Sequence, residues 1–529
     1  MVIDSKRRME KVSFLSILLF SFLAVLIWKY NDSRLHFEDH VYIKQLTENL
    51  ASTGEATSDA QDAINDMLFS GFLTTPPEEL CISPMAEKSH SDNLFSYHPY
   101  FILYLIAPTS KLLNAELVLT TVTVAGFFLL LLLMYENMRT QGVTVLVAGG
   151  VVLMATFHPV WSQGLQGQMY VERFFIPLAA LLIWLLNREQ RNFWLIVLLT
   201  TVCALVTERT GLIIGTYLVL HALLYAQTSS RDRLMLAGLG ILSVCYSVAL
   251  IMLYLDNDSY ATGGFLPHSF GELLVRLENE AFSSKLQVFL FFNVLILGIF
   301  SIWDWRAFLI ALVMMVPNII GTIGGAEKTG FLTHYHSLYT PFLFMAISSG
   351  VVRLYRKSWT VVSGRRLVSW LLMFMIPTVG MAKVKEANRV SISTGHLGSH
   401  VILKSVKQVP ECFEGGEIYQ WRKNVENIRR VVPEGSKVSV AFWGMPILEN
   451  NRSVYYYPLG IDVADYVLIK YKKVSGNYNY LGAISYLGTE SQEKLNQCMN
   501  KRLRNDGYDV ENPMIFGDSA VLRRINQKD

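Results

Sequence analysis

Long apolar runs separated by short polar stretches fill the chain up to residue 382. They lie at roughly 13–30, 115–134, 142–158, 171–187, 194–207, 211–227, 234–255, 286–302, 307–322, 338–353 and 366–382. About 20 apolar helical residues cross a bilayer core, so the pattern predicts a polytopic α-helical membrane protein with about 11 transmembrane helices. The shorter runs need tilt or protein neighbours. The first run ends in Trp28-Lys29-Tyr30 without a small-residue cleavage site, and it reads as a retained signal anchor.

The basic residues between runs orient the chain. With Lys6, Arg7, Arg8 and Lys11 in the cytoplasm, the cytoplasmic loops carry Arg139, Arg188, Arg191, Arg231, Arg233, Arg306 and the group from Arg353 to Arg366. The external loops are poorer in Lys and Arg. This alternation requires that Tyr97 to Leu113 does not cross the membrane. That segment is apolar but carries Pro99, Pro108 and Lys111, and it reads as a helix in the external interface. It closes a long first external loop, 31–114.

Beyond residue 382 the runs give way to mixed sequence. Strands are predicted over Val438–Trp443 and Tyr466–Ile469, and helices over Asn424–Val432 and Glu490–Asn505. The expectation is a transmembrane domain, 1–382, followed by an external soluble α/β or α+β domain, 383–529.

Composition agrees with the membrane class: 52% of residues are hydrophobic and 17% charged. A net charge of +3 carries no nucleic-acid signature. No Gly-rich phosphate loop, Cys-pair zinc spacing or His-Glu-x-x-His motif occurs. Cys203 and Cys245 fall in apolar runs, whereas Cys81, Cys412 and Cys498 fall in polar regions, where a Cys412–Cys498 disulfide is an option in an oxidising space.

The polar residues gather on the predicted external face. Glu38 and Asp39 follow the first run. His98 opens the interfacial segment, and Tyr170, Glu172 and Arg173 head a later run. Glu208 and Arg209 form a tight turn, Thr207-Glu208-Arg209-Thr210-Gly211. Asp256, Asp258, His268, Glu327, Lys328, His334, Tyr335 and His336 complete the set. Each has a plain reading too. Glu172–Arg173 and Glu208–Arg209 serve equally as structural ion pairs at helix ends, His98 as a helix cap, and Glu38–Asp39 as solvated loop acids. His334 and His336 lack a third ligand in sequence, which argues against zinc. Pooled at a membrane border, the set suits sugar transfer from a lipid phosphate. A carboxylate takes the proton of an attacking hydroxyl, and Arg, Lys or a divalent cation neutralises the departing phosphate.

Five stretches carry a family resemblance. Asp39-His40-Val41-Tyr42-Ile43-Lys44-Gln45 is similar to Asp-Leu-Gly-x-Phe-Asp-Gln. Tyr97-His98-Pro99-Tyr100 through Ala107-Pro108 is similar to a His-Phe-Ser-Pro helix ending in Ala-Pro. Thr207-Glu208-Arg209-Thr210-Gly211-Leu212 resembles Lys-Glu-Asp-x-Gly-Leu. His334-Tyr335-His336 through Pro341 resembles a His-Tyr segment ending in Pro. Val432-Pro433-Glu434-Gly435 through Asn451-Arg452, Tyr457-Pro458 and Ala464-Asp465-Tyr466-Val467-Leu468 matches an external domain. Together they resemble the GT-C superfamily of polyprenyl-phosphate-sugar-dependent glycosyltransferases, and within it the uncharacterised family called domain of unknown function 2079.

The resemblance implies a membrane glycosyltransferase with a lipid-phosphate-linked sugar donor and a glycan, lipid or protein acceptor, working outside the cytoplasmic membrane. Asp39 is then the general base and Glu38 its neighbour or a metal ligand. His98, Tyr170, Glu172, Arg173, Glu208, Arg209, His334, Tyr335 and His336 form the pocket. No cofactor is certain. A divalent cation is one option, but Lys44 and Arg209 replace family acids and weaken it. The alternatives are a transporter or lipid-linked-glycan translocator, and an inactive GT-C relative in an envelope-assembly complex. The scarcity of mid-span charges argues against a transporter.

Overall fold

The structure is a computed structural model. It describes residues 2–32, 38–63, 95, 98–166, 169–188, 191–225, 229–253, 255, 269–278, 286, 289–320, 334–358, 400–440, 444, 447–448, 453–470, 473–474, 477–478 and 498–525. The expected span at 366–382 lies outside these, as do Cys81, Asp256, Asp258, His268, Glu327 and Lys328, and so do the side chains of Glu38, Asp39 and His334.

Two compact units form. One comprises Met1–Leu26, Phe95–Leu105 and Val118–Lys407, and the other Ile27–Leu94, Ile106–Leu117 and Gln408–Asp529. Among the described residues four helices are long and apolar enough to cross a membrane: Met9–Asn31, Ala115–Thr140, Ser230–Leu253 and Gly298–Ile319. Val145–Phe157 and Pro159–Gln166 form a bent pair at 56°. The bend follows from sequence, because Pro159 has no amide proton and disfavours helical backbone at His158, which turns extended. Two shorter apolar helices, Phe193–Ala204 and Thr210–Leu224, lie between. Three expected runs, 13–30, 115–134 and 234–255, fall on long helices.

The sequence reading differs from the structure at residues 303–306, expected to be a cytoplasmic loop. They pass from the 3-10 turn Gly298–Asp304 into the helix Trp305–Ile320 without a break. The charge that suggested a loop is neutralised in place, since Arg353 holds the buried Asp304 carboxylate at 3.1 Å. The interfacial segment is also shorter than expected. Only Leu103–Ser110 is helical, about 12 Å at 1.5 Å per residue and too short to span.

The Thr210–Leu224 and Ser230–Leu253 helices pack backbone to backbone. A Cβ on Gly240 would come within 2.6 Å of the Gly215 carbonyl oxygen, so only glycine permits this approach. Small residues of this kind are how helices associate where lipid removes the hydrophobic driving force. The remaining faces of Ser230–Leu253 carry exposed Leu234, Leu242 and Met252, as a lipid-facing surface requires.

In the other unit, residues 437–523 build a sheet from β1 (Lys437–Val440), β2 (Ser453–Tyr456), β3 (Tyr466–Lys470), β6 (Met514–Phe516) and β7 (Ser519–Arg523), in the order β2-β1-β3-β7-β6. A hairpin of β4 (Lys473–Val474) and β5 (Asn477–Tyr478) lies apart. β1 runs parallel to β2 and β3, and β7 antiparallel to β3 and β6. The helix Glu417–Val431 starts earlier than expected and buries Ile418, Val425 and Ile428 at helical spacing. The optional Cys412–Cys498 bridge does not form. Cys412 is buried outside any disulfide, next to the Gln408 carbonyl, and Cys498 is disulfide-bonded.

Candidate functional site

The Thr207–Thr210 turn is the anchor of the site. The Thr210 hydroxyl donates to the Thr207 carbonyl (2.8 Å) and accepts the Thr207 amide (3.0 Å). The Thr207 hydroxyl accepts the Arg209 amide. Such side-chain bonds fix a turn without regular structure. They set Glu208 and Arg209 between the Phe193–Ala204 and Thr210–Leu224 helices. The Ile102 amide donates to the Leu205 carbonyl at 2.8 Å, which brings the His98–Ile102 segment to the same place.

Three predicted residues therefore meet. His98 Nδ1 lies 3.5 Å from Glu208 Oε1, and Arg209 Nε lies 3.2 Å from the same oxygen. His98 stacks on Tyr100, and the Arg209 guanidinium sits 5.2 Å from the centre of the Tyr335 ring. Tyr335 belongs to the 3-10 turn His334–Leu338, which packs against a second 3-10 turn, Val171–Phe174. The latter carries Glu172 and Arg173, both buried, with the Arg173 guanidinium 5.1 Å from the Tyr170 ring. Eight of the predicted pocket residues thus share one unit and adjoining turns. His334 lies on the backbone of the same turn. Glu38 and Asp39 belong to the other unit, where they open the helix Glu38–Ser52.

The two buried carboxyls differ in proton affinity. Burial raises Glu172, and despite opposing attraction from His98 and Arg209 it reaches about 7. Burial also raises Glu208, but His98 and Arg209 lie against it and outweigh burial, holding it at about 2. Near neutral pH the described turns thus place two guanidiniums, Arg173 and Arg209, beside a full carboxylate, Glu208, and a carboxyl, Glu172, that is half protonated.

Sequence reading missed a polar chain beside His336. His336 Nδ1 lies 3.1 Å from the Tyr339 hydroxyl, which donates to Asn293 Oδ1 at 3.3 Å. All three are buried. His158 joins from the helix bend, with Nε2 3.1 Å from the Phe292 carbonyl. The one signal was His158-Pro159 inside an apolar run. Among the described residues no group of three or more His, Cys, Asp or Glu could hold a metal ion.

No family model matches the chain, so the resemblance to domain of unknown function 2079 gains no support there. No curated protein matches either. Two structures of ArnT are among the solved structures similar to the chain. ArnT from Cupriavidus metallidurans in the apo state has a TM-score of 0.50 at 9% identity, covering 97% of this chain and 98% of that one. ArnT from the same organism bound to undecaprenyl phosphate has a TM-score of 0.47 at 12% identity, covering 98% of each chain. The chain shares the fold of ArnT in the apo state, and among its described residues four helices are long and apolar enough to cross a membrane.

Proposed function

We propose that the protein is a GT-C membrane glycosyltransferase that moves a sugar from a polyprenyl-phosphate-linked donor to a cell-envelope acceptor on the external face of the cytoplasmic membrane. The observation that carries this reading is the buried cluster of Arg173, Arg209, Glu208, Glu172 and His98 at helix ends, on an ArnT-like fold. Its two guanidiniums are the kind of group that stabilises a phosphate gaining charge as its bond to the sugar breaks. Asp39 acts as the base. The acceptor oxygen bonds the anomeric carbon, its proton goes to the Asp39 carboxylate, and the sugar–phosphate bond breaks to release the lipid phosphate as an anion. The place of Asp39 at the head of the Glu38–Ser52 helix, just after the apolar run 13–30, supports this. The disulfide at Cys498 supports an oxidising, external environment for the C-terminal sheet. Arg173 and Arg209 take the electrostatic role, so the reading needs no metal.

The test is mass spectrometry of envelope glycans and lipids from cells with the protein, without it, and with Asp39→Asn. The protein-dependent product should vanish in Asp39→Asn while expression is unchanged. Undiminished product in that variant refutes the base assignment, and a glycan profile indifferent to the protein refutes the transferase.

A further inference from the structure

Two buried side chains outside the predicted pocket, Asn293 and Tyr339, reach it through His336. Asn293 sits in a π-helical turn, Phe291–Ile296, a form that is rare and often marks functional sites. Its backbone is hemmed in, because a Cβ at Gly298 would collide with the Asn293 carbonyl. The bend at His158-Pro159 is tied to the same turn. His158 Nδ1 accepts the Val160 amide at 3.2 Å, so Nε2 carries the proton and donates to the Phe292 carbonyl at 3.1 Å.

The proton positions along the Asn293–Tyr339–His336 chain follow from its fixed end. Asn293 Nδ2 donates to the Phe289 carbonyl at 3.0 Å. The opposite amide orientation would set two oxygens against each other there, so Oδ1 is the atom turned to Tyr339. An amide oxygen only accepts, so the single hydroxyl proton of Tyr339 goes to it, at 3.3 Å. The Tyr339 oxygen is left to accept from His336 Nδ1, 3.1 Å away. His336 is therefore held with a proton on Nδ1. The Phe289 ring packs beside both rings, 5.9 Å from His336 and 5.6 Å from Tyr339. The Thr340 hydroxyl donates to the His336 carbonyl at 2.6 Å, so His336 is fixed at ring and backbone alike.

His336 follows Tyr335 in the 3-10 turn His334–Leu338. The Arg209 guanidinium lies over the Tyr335 ring at 5.2 Å, and Arg209 Nε lies 3.2 Å from Glu208 Oε1. In so short a turn, what pins His336 also pins its neighbour Tyr335. We propose that Asn293 and Tyr339 are positioning residues for Arg209: acting through His336, they hold the turn that seats Tyr335 on the guanidinium. The inference rests on the reading of Arg209 as a group that meets the lipid phosphate. A ring against the guanidinium face leaves the N–H edge for phosphate oxygens, so the place of Tyr335 decides where that edge points. Irregular turns buried among membrane helices are kept where neighbouring groups satisfy their backbone, and here the same groups orient the site.

The experiment measures binding of undecaprenyl phosphate, a polyprenyl phosphate without a sugar, to the detergent-purified full chain. The variants are Tyr339→Phe, which removes one oxygen, Asn293→Leu, Arg209→Gln, and Arg209→Gln combined with each of the first two. Tyr339→Phe and Asn293→Leu should each weaken binding by about fivefold, the scale of a lost cation–ring contact. Combined with Arg209→Gln, neither should weaken binding further, because both act through that guanidinium. Undiminished binding in Tyr339→Phe, or losses that add to the loss in Arg209→Gln, overturns the proposal. A second measurement needs no variant to bind: nitrogen NMR of the parent with isotope-labelled histidine, the His336 signals assigned by their absence in His336→Gln. A proton on Nδ1 is expected, and a proton on Nε2 alone overturns the proposal. Parent protein that fails to bind undecaprenyl phosphate overturns the lipid-phosphate reading and this inference with it, whereas the other failures leave that reading standing.

Discussion

Glu172 gives the sharpest test of the site's electrostatics. Its carboxyl is buried in the Val171–Phe174 turn and keeps its proton up to about pH 7, whereas the unfolded chain releases it at about 4.5. Between those values the folded state binds the extra proton, so stability falls as pH rises and the full loss is reached above 7. The gap, at about 1.4 kcal/mol per pH unit, amounts to about 3 kcal/mol. Glu172→Gln keeps the shape and removes the titration. For a chain of this size a loss of that order moves the melting temperature by a few degrees. Thermal melts of the detergent-purified full chain at pH 4.5 and pH 7.5 measure it. The parent should melt lower at pH 7.5, and Glu172→Gln should cut that difference by at least half. An equal pH difference in parent and variant refutes the assignment of the proton to Glu172. A variant less stable than the parent at pH 7.5 refutes the claim that ionised Glu172 is a burden there.

Other outcomes follow from the same geometry. Glu208→Gln leaves His98 and Arg209 without the charge both approach, and should lower stability at pH 7 by about 3–5 kcal/mol, read as a lower melting temperature. The Glu208 proton affinity is depressed, so that contribution is fully present above pH 4.5 and fades as pH falls toward 2; the variant should therefore approach the parent in acid. Gly240→Leu drives a side chain into the Gly215 carbonyl and should cost at least about 1–3 kcal/mol, again read by melting. Cys412 should react with a maleimide on denaturation alone, whereas Cys498 should need a reductant first; peptide mapping separates the two.

Local signals in the sequence carried far, and long-range pairing did not. The Thr207–Thr210 turn was readable because its geometry is made by its own hydroxyls. The long helices at Met9–Asn31, Ala115–Thr140 and Ser230–Leu253 were readable because hydrocarbon length is written directly into an apolar run. Joining His98 to Glu208 was expected only as membership of one face, and the 3.5 Å approach depends on the backbone bond from Ile102 to Leu205. The Asn293–Tyr339–His336 chain was invisible, since Asn293 and Tyr339 lie in separate apolar stretches and meet only through folding. Asp304 and Arg306 looked like a loop because sequence shows charges and not their partners; Arg353, which neutralises Asp304, lies far along the chain. The Cys412–Cys498 pairing failed for a similar reason, as polar surroundings say which cysteines are free to pair but not which ones meet.

The glycine contact between Thr210–Leu224 and Ser230–Leu253 has a mechanical consequence. Backbones that touch leave no compliant layer of side chains to absorb a shift, so the two helices translate as a single strut. Arg209 is fixed to one tip of that strut and Tyr225 to the other. The contact therefore ties the helix that carries Arg209 at one end and Tyr225 at the other, about 22 Å apart along 15 residues, to its neighbour as one unit.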